Sequence, residues 1–126
     1  MTDWYARPFF FVADVERALD FYVGALGFTE KWSFKEDGKV FVGQVNRGEC
    51  EVILSSQWPE KKGNGRLFVS LTTAAYAALP AELAAKGVTA KHGWWGYRTL
   101  IVTDPDGNEL YFPDPDDPGG ARGSNE

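Results

Sequence analysis

The chain has 126 residues, of which 44% are hydrophobic and 25% charged, a composition typical of one soluble domain with its own core. Its 13 basic and 18 acidic residues give a net charge of −5, which argues against a nucleic-acid partner because phosphate binding needs a basic surface. No apolar run is long enough to cross a membrane, and the N-terminus lacks a signal-peptide pattern. We therefore expect a cytoplasmic protein without a membrane partner.

The first half of the chain predicts the order β-α-β-β-β. Asp14 is a favourable N-cap, apolar residues recur at helical spacing from Val15 to Leu26, and Gly27 stands where a helix ends. Short apolar or alternating runs, separated by glycine-containing turns, predict the strands. The predicted elements are a strand over 7–12, a helix over 14–26 and strands over 28–34, 39–45 and 50–55.

The second half repeats this order, which predicts two modules of similar structure. The predicted elements are a strand over 67–71, a helix over 74–86 and strands over 88–91, 99–102 and 109–112. Pro80 is expected to start or reset a helix, not to lie inside one. The turn glycine Gly48 follows Gly27 by 21 residues and Gly107 follows Gly87 by 20, and this matched spacing indicates a repeat.

The limits of the modules follow from composition. Residues 57–65 are polar and rich in turn formers, which predicts a linker. Residues 114–126 are Pro, Gly, Asp and Ser without apolar periodicity, which predicts a disordered tail. We therefore expect a single domain over 1–113, with modules at about 5–58 and 65–113.

One segment near the C-terminus has specific turn chemistry. Residues 104–108 read Asp-Pro-Asp-Gly-Asn, in which Asp starts a turn, Pro presets φ and Gly accepts a positive φ. Strand-like runs on both sides predict a β-hairpin. Residues 94–98, Trp-Trp-Gly-Tyr-Arg, precede it, and a Gly-x-Arg joined to this turn is the most informative pattern in the chain.

These patterns together resemble the vicinal oxygen chelate superfamily, which includes glyoxalase I, extradiol dioxygenases, fosfomycin-resistance enzymes and bleomycin-resistance proteins. The resemblance rests on the helix phrase at 14–22 (Asp-Val-Glu-Arg-Ala-Leu-Asp-Phe-Tyr), on Leu-Gly-Phe at 26–28, and on residues 96–98 and 104–108. It implies an α+β fold of two βαβββ modules that form a curved mixed sheet, and a homodimer.

The resemblance also implies positions for a metal site. The family's four ligand positions fall on Arg7, on Ile53 within one residue, on Arg66 and on Tyr111, and none of these is a good metal ligand. A shifted register would bring in Glu51 and Glu109, two carboxylates without a histidine, which make a poor site; we expect Glu109 to be solvated. We therefore expect no metal, no cofactor and no catalytic residue.

Two other residue types offer little chemistry. The lone cysteine, Cys50, excludes an intrachain disulfide and is expected to pack as a small apolar residue. The lone histidine, His92, is expected to be solvated.

Without a metal, the sheet faces that contain the ligand positions are expected to carry aromatic rings. Aromatic residues make up 15% of the chain. Alternation puts Arg7, Phe9 and Phe11 on one face and Phe10 and Val12 on the face that packs against the helix. Aromatic side chains in connecting segments are less easily buried in the core than those on strands, so they are candidates for ligand binding. The predicted ligand-binding residues are Phe9, Trp32, Phe34, Ser55, Trp58, Trp95, Tyr97 and Tyr111.

The bleomycin-resistance branch, as the resemblance implies, lacks the metal, dimerises and sequesters a cationic, ring-bearing antibiotic. Trp95-Gly96 and Arg98 match its pattern before the seventh strand, although Tyr97 is one residue more than its spacing has. We expect Arg98 to have a structural role. The net charge of −5 is compatible with a cationic ligand, although solubility alone is the more common reason for such a charge.

Three functions remain open on the sequence. The leading hypothesis is a metal-free protein that sequesters an aromatic antibiotic or metabolite, a cationic one included. The second is a metal-dependent enzyme of the glyoxalase or dioxygenase type with atypical ligands. The third is a small-ligand sensor or interaction module.

Overall fold

The computed structural model describes residues 4–94 and 98–117, and within these ranges it has eight strands in two four-stranded mixed sheets. The chain divides into two units. The first unit comprises the described residues up to Gly65 together with Asp104–Asn108. The second comprises those of Arg66–Thr103 and those from Glu109 onward. The α+β class and the repeated βαβββ order are as predicted, and each module forms a sheet of its own.

The first unit follows the predicted order. Its elements are β1 (Phe9–Phe11), α1 (Val15–Leu19) with a π-helical continuation (Asp20–Ala25), β2 (Thr29–Glu36), β3 (Lys39–Arg47), β4 (Cys50–Ser55) and a 3₁₀ turn (Pro59–Lys61). The strand order is β1-β4-β3-β2, in which β1 runs parallel to β4 and the other pairs are antiparallel.

The first helix begins at the residue that the sequence indicates. The Asp14 carboxylate accepts the N–H groups of Glu16 and Arg17, and the bond from the Arg17 N–H is the main reason that the pKa of Asp14 is lowered. The helix ends differently from the prediction, because the Leu26 N–H donates to the Phe21 carbonyl, five residues back, in a π-type turn. Gly27 follows with a φ of 74°, which favours glycine.

The core of the first unit lies between α1 and one face of its sheet. The helix buries Val15, Ala18, Leu19 and Tyr22. The sheet residues on that face, buried with them, are Phe10, Val12, Val45, Val52 and Leu54. Phe10 and Val12 therefore face the helix as alternation predicts, and the opposite face is left for Phe9 and Phe11.

The turn over Asp104–Asn108 belongs to the first unit. The buried Asp104 carboxylate accepts from the Tyr22 hydroxyl at 2.9 Å, from the N–H groups of Asp106 and Asn108 at 2.8 and 3.0 Å, and from the Asn108 side-chain amide at 3.0 Å. That same amide also donates to the Phe11 carbonyl, while its oxygen accepts the Gly65 N–H. These bonds satisfy both side chains inside the unit.

The second unit has β5 (Arg66–Phe68), α2 (Thr73–Ala85), β6 (Lys91–Trp94), β7 (Arg98–Thr103) and β8 (Glu109–Pro113). Its strand order, β5-β8-β7-β6, repeats that of the first unit, again with one parallel pair.

Among the residues that the structure describes, no helix is both long and apolar enough to cross a bilayer.

Two predictions in the second unit are wrong. Pro80 lies inside α2 instead of starting or resetting a helix. It is exposed, so water can satisfy the carbonyl that its missing N–H leaves without a helical partner. The strand predicted over 88–91 begins at Lys91, because the Val88 N–H still caps the helix by donating to the Leu83 carbonyl.

The residues after β8 pair with the second unit as far as the structure describes them. Arg98 forms an ion pair with Asp114 at 3.3 Å, and its backbone N–H donates to Asp117. The Thr73 hydroxyl donates to Asp116. Residues 118–126, the rest of the segment predicted as a tail, lie outside the described residues. Arg98 therefore has the structural role expected of it.

Candidate functional site

The face of the first sheet opposite α1 is the candidate site, and we call it the ring face. Strand register places its residues in rows across the sheet. One row is Phe9, Ile53, Gln44 and Trp32, and the next is Phe11, Ser55, Val42 and Phe34. In both rows the outer strands β1 and β2 have rings and the inner strands have smaller side chains. The two sets of rings therefore stand about 14 Å apart, three strand spacings.

The rings of this face form two groups. On the β1 side, Phe11 lies 6.1 Å from Phe9 and 5.9 Å from Trp58, measured between centroids. On the β2 side, the Trp32 and Phe34 centroids lie 5.5 Å apart. The exposed fraction of these rings is high, at 47% for Phe9 and 60% for Phe34 on the sheet and 45% for Trp58 beside it. The face thus presents aromatic surface to solvent from rigid strands.

Gln44 lies at the centre of the ring face and is 2% exposed. Its Oε1 accepts from Trp32 Nε1 at 3.0 Å and from Arg7 Nη1 at 2.8 Å. Its Nε2 donates to Asn46 Oδ1 at 2.9 Å and to Glu51 Oε1 at 2.8 Å. All four hydrogen-bonding capacities of this amide are used, so Gln44 fixes the orientation of the Trp32 ring.

The remaining polar groups of the face are arranged around Gln44. The Tyr5 hydroxyl also donates to Glu51 Oε1, and the Arg7 guanidinium lies 5.3 Å from the centroid of the Tyr5 ring. Beyond Trp58, the Lys61 ammonium lies 5.6 Å from the Phe11 ring and 5.7 Å from the Trp58 ring. Such distances allow cation–π attraction.

The second unit repeats part of this arrangement. Arg-x-Phe occurs at 7–9 and at 66–68, and Phe9 lies opposite Ile53 as Phe68 lies opposite Tyr111. Where the first unit has the Gln44 network, the second unit has a cluster of charged groups around Glu109. Its carboxylate accepts from Lys91 at 3.0 Å, from Arg66 at 3.2 Å and from the Tyr111 hydroxyl at 2.9 Å. The shared register supports the internal repeat that the glycine spacing predicts.

The four family ligand positions do not fit a divalent metal. In the first unit, Arg7 is a cation that donates to Gln44, and Ile53 is aliphatic. In the second unit, Arg66 is paired with Glu109, and Tyr111 donates to the same carboxylate. Across 4–94 and 98–117, no three His, Cys, Asp or Glu side chains come together as ligands. These four positions offer two cations, one aliphatic side chain and one phenol, and none of these is a usual ligand of a divalent metal.

The prediction that Glu109 is solvated is wrong. Its side chain is 13% exposed and lies between two cations and a tyrosine hydroxyl. The hydrogen bond from Lys91, followed by that from Tyr111 and the charge of Arg66, lowers its pKa despite partial burial. By contrast, burial raises the pKa of Cys50, which agrees with its expected role as a packing residue.

Replacing Glu109 with glutamine is expected to remove a pH-dependent part of the stability. Because the folded-state pKa of Glu109 is lowered, its contribution is present above the ordinary value of 4.5 and is lost as the pH falls through the folded value. The difference in free energy of unfolding between wild type and Glu109→Gln should therefore be largest near neutral pH and shrink below about pH 4.5. Urea titrations at several pH values measure it, and a difference that is constant with pH would contradict it.

The structure brings only some of the predicted binding residues together. Phe9, Trp32, Phe34 and Trp58 lie together on the ring face or beside it. Ser55 is in the same rows but is fully buried, and its hydroxyl accepts the Gln57 N–H. Tyr111 belongs to the second unit. Trp95 and Tyr97 lie outside the described residues.

Sequence reasoning missed the polar half of the site. It did not single out Tyr5, Gln44, Asn46 or Lys61. Gln44 had a local signal, since it alternates with Val40 and Val42 on one strand where an apolar residue would be usual. Lys61 had none, because its position above two rings depends on how the segment after β4 turns back.

Two βαβββ modules, each with strand order 1-4-3-2, define the fold class of the glyoxalase and bleomycin-resistance proteins. The chain belongs to the Glyoxalase/Bleomycin resistance protein/Dioxygenase superfamily, whose family model matches residues 3–112. This confirms the resemblance that rests on the first helix and the Asp-Pro-Asp-Gly-Asn turn. A comparison with curated proteins gives no match.

Solved structures of similar fold include two antibiotic-binding proteins and an enzyme. TnmS3, an antibiotic binding protein from Streptomyces sp. CB03234, is 26% identical with a TM-score of 0.64, covering 90% of this chain and 98% of its own. The bleomycin-binding protein of Streptomyces verticillus, solved with copper(II)-bleomycin, is 23% identical with a TM-score of 0.71 and the same coverage. Lactoylglutathione lyase of Agrobacterium tumefaciens is 14% identical with a TM-score of 0.66, covering 90% and 95%. The last two likenesses concern the fold alone.

Proposed function

We propose that the protein is a metal-free small-molecule binder of the bleomycin-resistance type, which sequesters an aromatic antibiotic or metabolite without changing it chemically. The observation that supports this most is the ring face. Phe9 and Phe34 on the sheet, and Trp58 in the segment after β4, expose about half of their surface or more, and exposed rings are favourable contacts for a flat ligand.

The way in which Trp32 is held also favours binding. Its indole N–H donates to the buried Gln44 amide, so the ring is fixed before a ligand arrives and little side-chain entropy is lost on binding. The likeness to TnmS3 points in the same direction, since that protein is described as antibiotic binding.

An enzymatic function is the alternative that an experiment must separate from this proposal. The family's enzymes need a divalent metal, and the residues at its ligand positions are two arginines, an isoleucine and a tyrosine. Without metal ligands of that kind, the described residues of the ring face offer contact surface and hydrogen bonds but no group that activates a substrate. One tightly bound divalent metal per subunit, found by elemental analysis of untagged protein, would contradict the proposal.

We further propose that the protein acts as a homodimer in the cytoplasm. Exposed rings occur in both units, among them Phe34 in the first and Phe68 and Trp94 in the second, and apolar surface of this kind is commonly covered in an assembly. Analytical ultracentrifugation measures the state of assembly, and a monomer at micromolar concentration would contradict the dimer.

Aromatic antibiotics that this face accommodates are expected to quench the tryptophan fluorescence in a saturable, equimolar manner. Trp58→Ala should weaken that binding about tenfold, because a buried stacking contact with tryptophan is typically worth more than 1 kcal/mol. Trp4→Ala is the matched control, since Trp4 is 99% exposed and its loss removes one fluorophore without touching the ring face. No quenching by any member of a panel of such antibiotics would contradict the proposed function.

A further inference from the structure

The charges of the ring face differ in sign from the charge of the whole chain. The chain has a net charge of −5, which by itself favours a cationic ligand. The groups that the structure places on or beside the ring face are two cations, Arg7 and Lys61, and one carboxylate, Glu51. A ligand bound there would contact these groups directly, while exposed charges more than about 10 Å away are largely screened at physiological salt.

The carboxylate of this face is already engaged. Glu51 Oε1 accepts from both Gln44 Nε2 and the Tyr5 hydroxyl. The two cations, in contrast, have neutral partners. Arg7 donates to the Gln44 amide and lies over the Tyr5 ring, and Lys61 contacts the Phe11 and Trp58 rings. Within the part of the chain that the structure describes, neither is paired with a carboxylate.

Lys61 is the better placed of the two to meet a ligand. The 3₁₀ turn Pro59–Lys61 directly follows Trp58, and the ammonium lies at nearly equal distances from the Trp58 and Phe11 ring centroids, 5.7 and 5.6 Å. A flat ligand that stacks against the β1-side rings would have its edge beside this ammonium. A negative substituent on that edge would form an ion pair, and a positive one would be repelled.

We propose that the ligand of the ring face is an aromatic compound with an anionic group, such as a carboxylate, a phenolate or a sulfonate, and that Lys61 is its charge partner. This inference rests on the proposed function and adds the class of ligand. It opposes the cationic ligand that the net charge of the chain favours, because contact charges decide affinity and the distant field mainly affects the rate of encounter.

Three probes with the same ring and different charge test the proposal: 2-naphthoate, 2-naphthamide and 2-naphthylmethylammonium. Isothermal titration calorimetry at pH 7.5 measures their affinities. Wild-type protein should bind the anion about tenfold more tightly than the cation, with the neutral amide between them, and added salt should reduce the difference.

The variants Lys61→Met and Lys62→Met form a matched pair. Both remove one positive charge from neighbouring exposed positions, but only Lys61 contacts the rings. Lys61→Met should weaken naphthoate about fivefold and leave naphthamide nearly unchanged, whereas Lys62→Met should alter neither. Neither lysine is part of the core, so both variants should fold as wild type does.

The outcomes separate this inference from the proposed function. Equal binding of all three probes, or tighter binding of the cation, would overturn the anionic ligand and leave an aromatic binder. An equal effect of Lys61→Met and Lys62→Met would overturn the role of Lys61. Failure of all three probes to bind would overturn both the inference and the proposal that the ring face holds aromatic ligands.

Discussion

Asp104→Ala is expected to lower the free energy of unfolding by about 4 kcal/mol, a large part of the 5–15 kcal/mol typical of a domain. Asp104 is buried and accepts four hydrogen bonds, from Tyr22, from the backbone of Asp106 and from two groups of Asn108. Alanine removes both carboxylate oxygens and leaves these donors without the acceptor that they share in the buried site. Guanidinium titration followed by circular dichroism measures the loss.

A milder variant, Tyr22→Phe, shows whether the loss comes from these bonds. Tyr22→Phe removes one donor together with its hydroxyl and should cost about 1 kcal/mol. Burial, and then the charge of Asp104, raises the pKa of Tyr22 well above 10, so wild type should lose stability above about pH 10 that Tyr22→Phe does not lose. A cost below about 1 kcal/mol for Asp104→Ala itself would contradict the role assigned to this carboxylate.

Gln44→Leu is expected to cost about 2 kcal/mol and to release Trp32. Leucine has a similar volume but can neither accept from Trp32 and Arg7 nor donate to Asn46 and Glu51. The Trp32 indole N–H should then exchange with solvent at least about tenfold faster. Nuclear magnetic resonance of the indole N–H signals, assigned with Trp32→Phe, measures this exchange together with the loss of stability.

Gln44→Glu separates the two halves of the Gln44 network. A carboxylate at this position can still accept from Trp32 and Arg7, but it cannot donate to Asn46 and it stands against the Glu51 carboxylate. We expect the indole N–H of Trp32 to stay protected in this variant while stability falls. Equal exchange rates in wild type and Gln44→Leu would contradict the view that Gln44 holds Trp32 in place.

The fold was largely predictable because its determinants are local. Asp14 caps a helix through its own next residues, Gly27 and Gly87 have positive φ where the helices end, and strand alternation assigns Phe9 and Phe10 to opposite faces. The two errors in the second unit come from features that the sequence patterns do not show. Whether Pro80 interrupts a helix depends on its exposure, and whether Val88 starts a strand depends on its bond to Leu83.

The βαβββ repeat, the family and the rings on one sheet face were all predictable, since periodicity, turn residues and motifs express all three. Which charged and polar groups surround those rings became clear from the folded structure alone. Arg7 and Gln44 are 37 residues apart and meet at 2.8 Å, and Lys61 contacts Phe11 although β2, β3 and β4 lie between them along the chain. Such pairs form through the packing of distant segments, which no local pattern contains, and so the charge that the ring face offers a ligand could be read only from the folded chain.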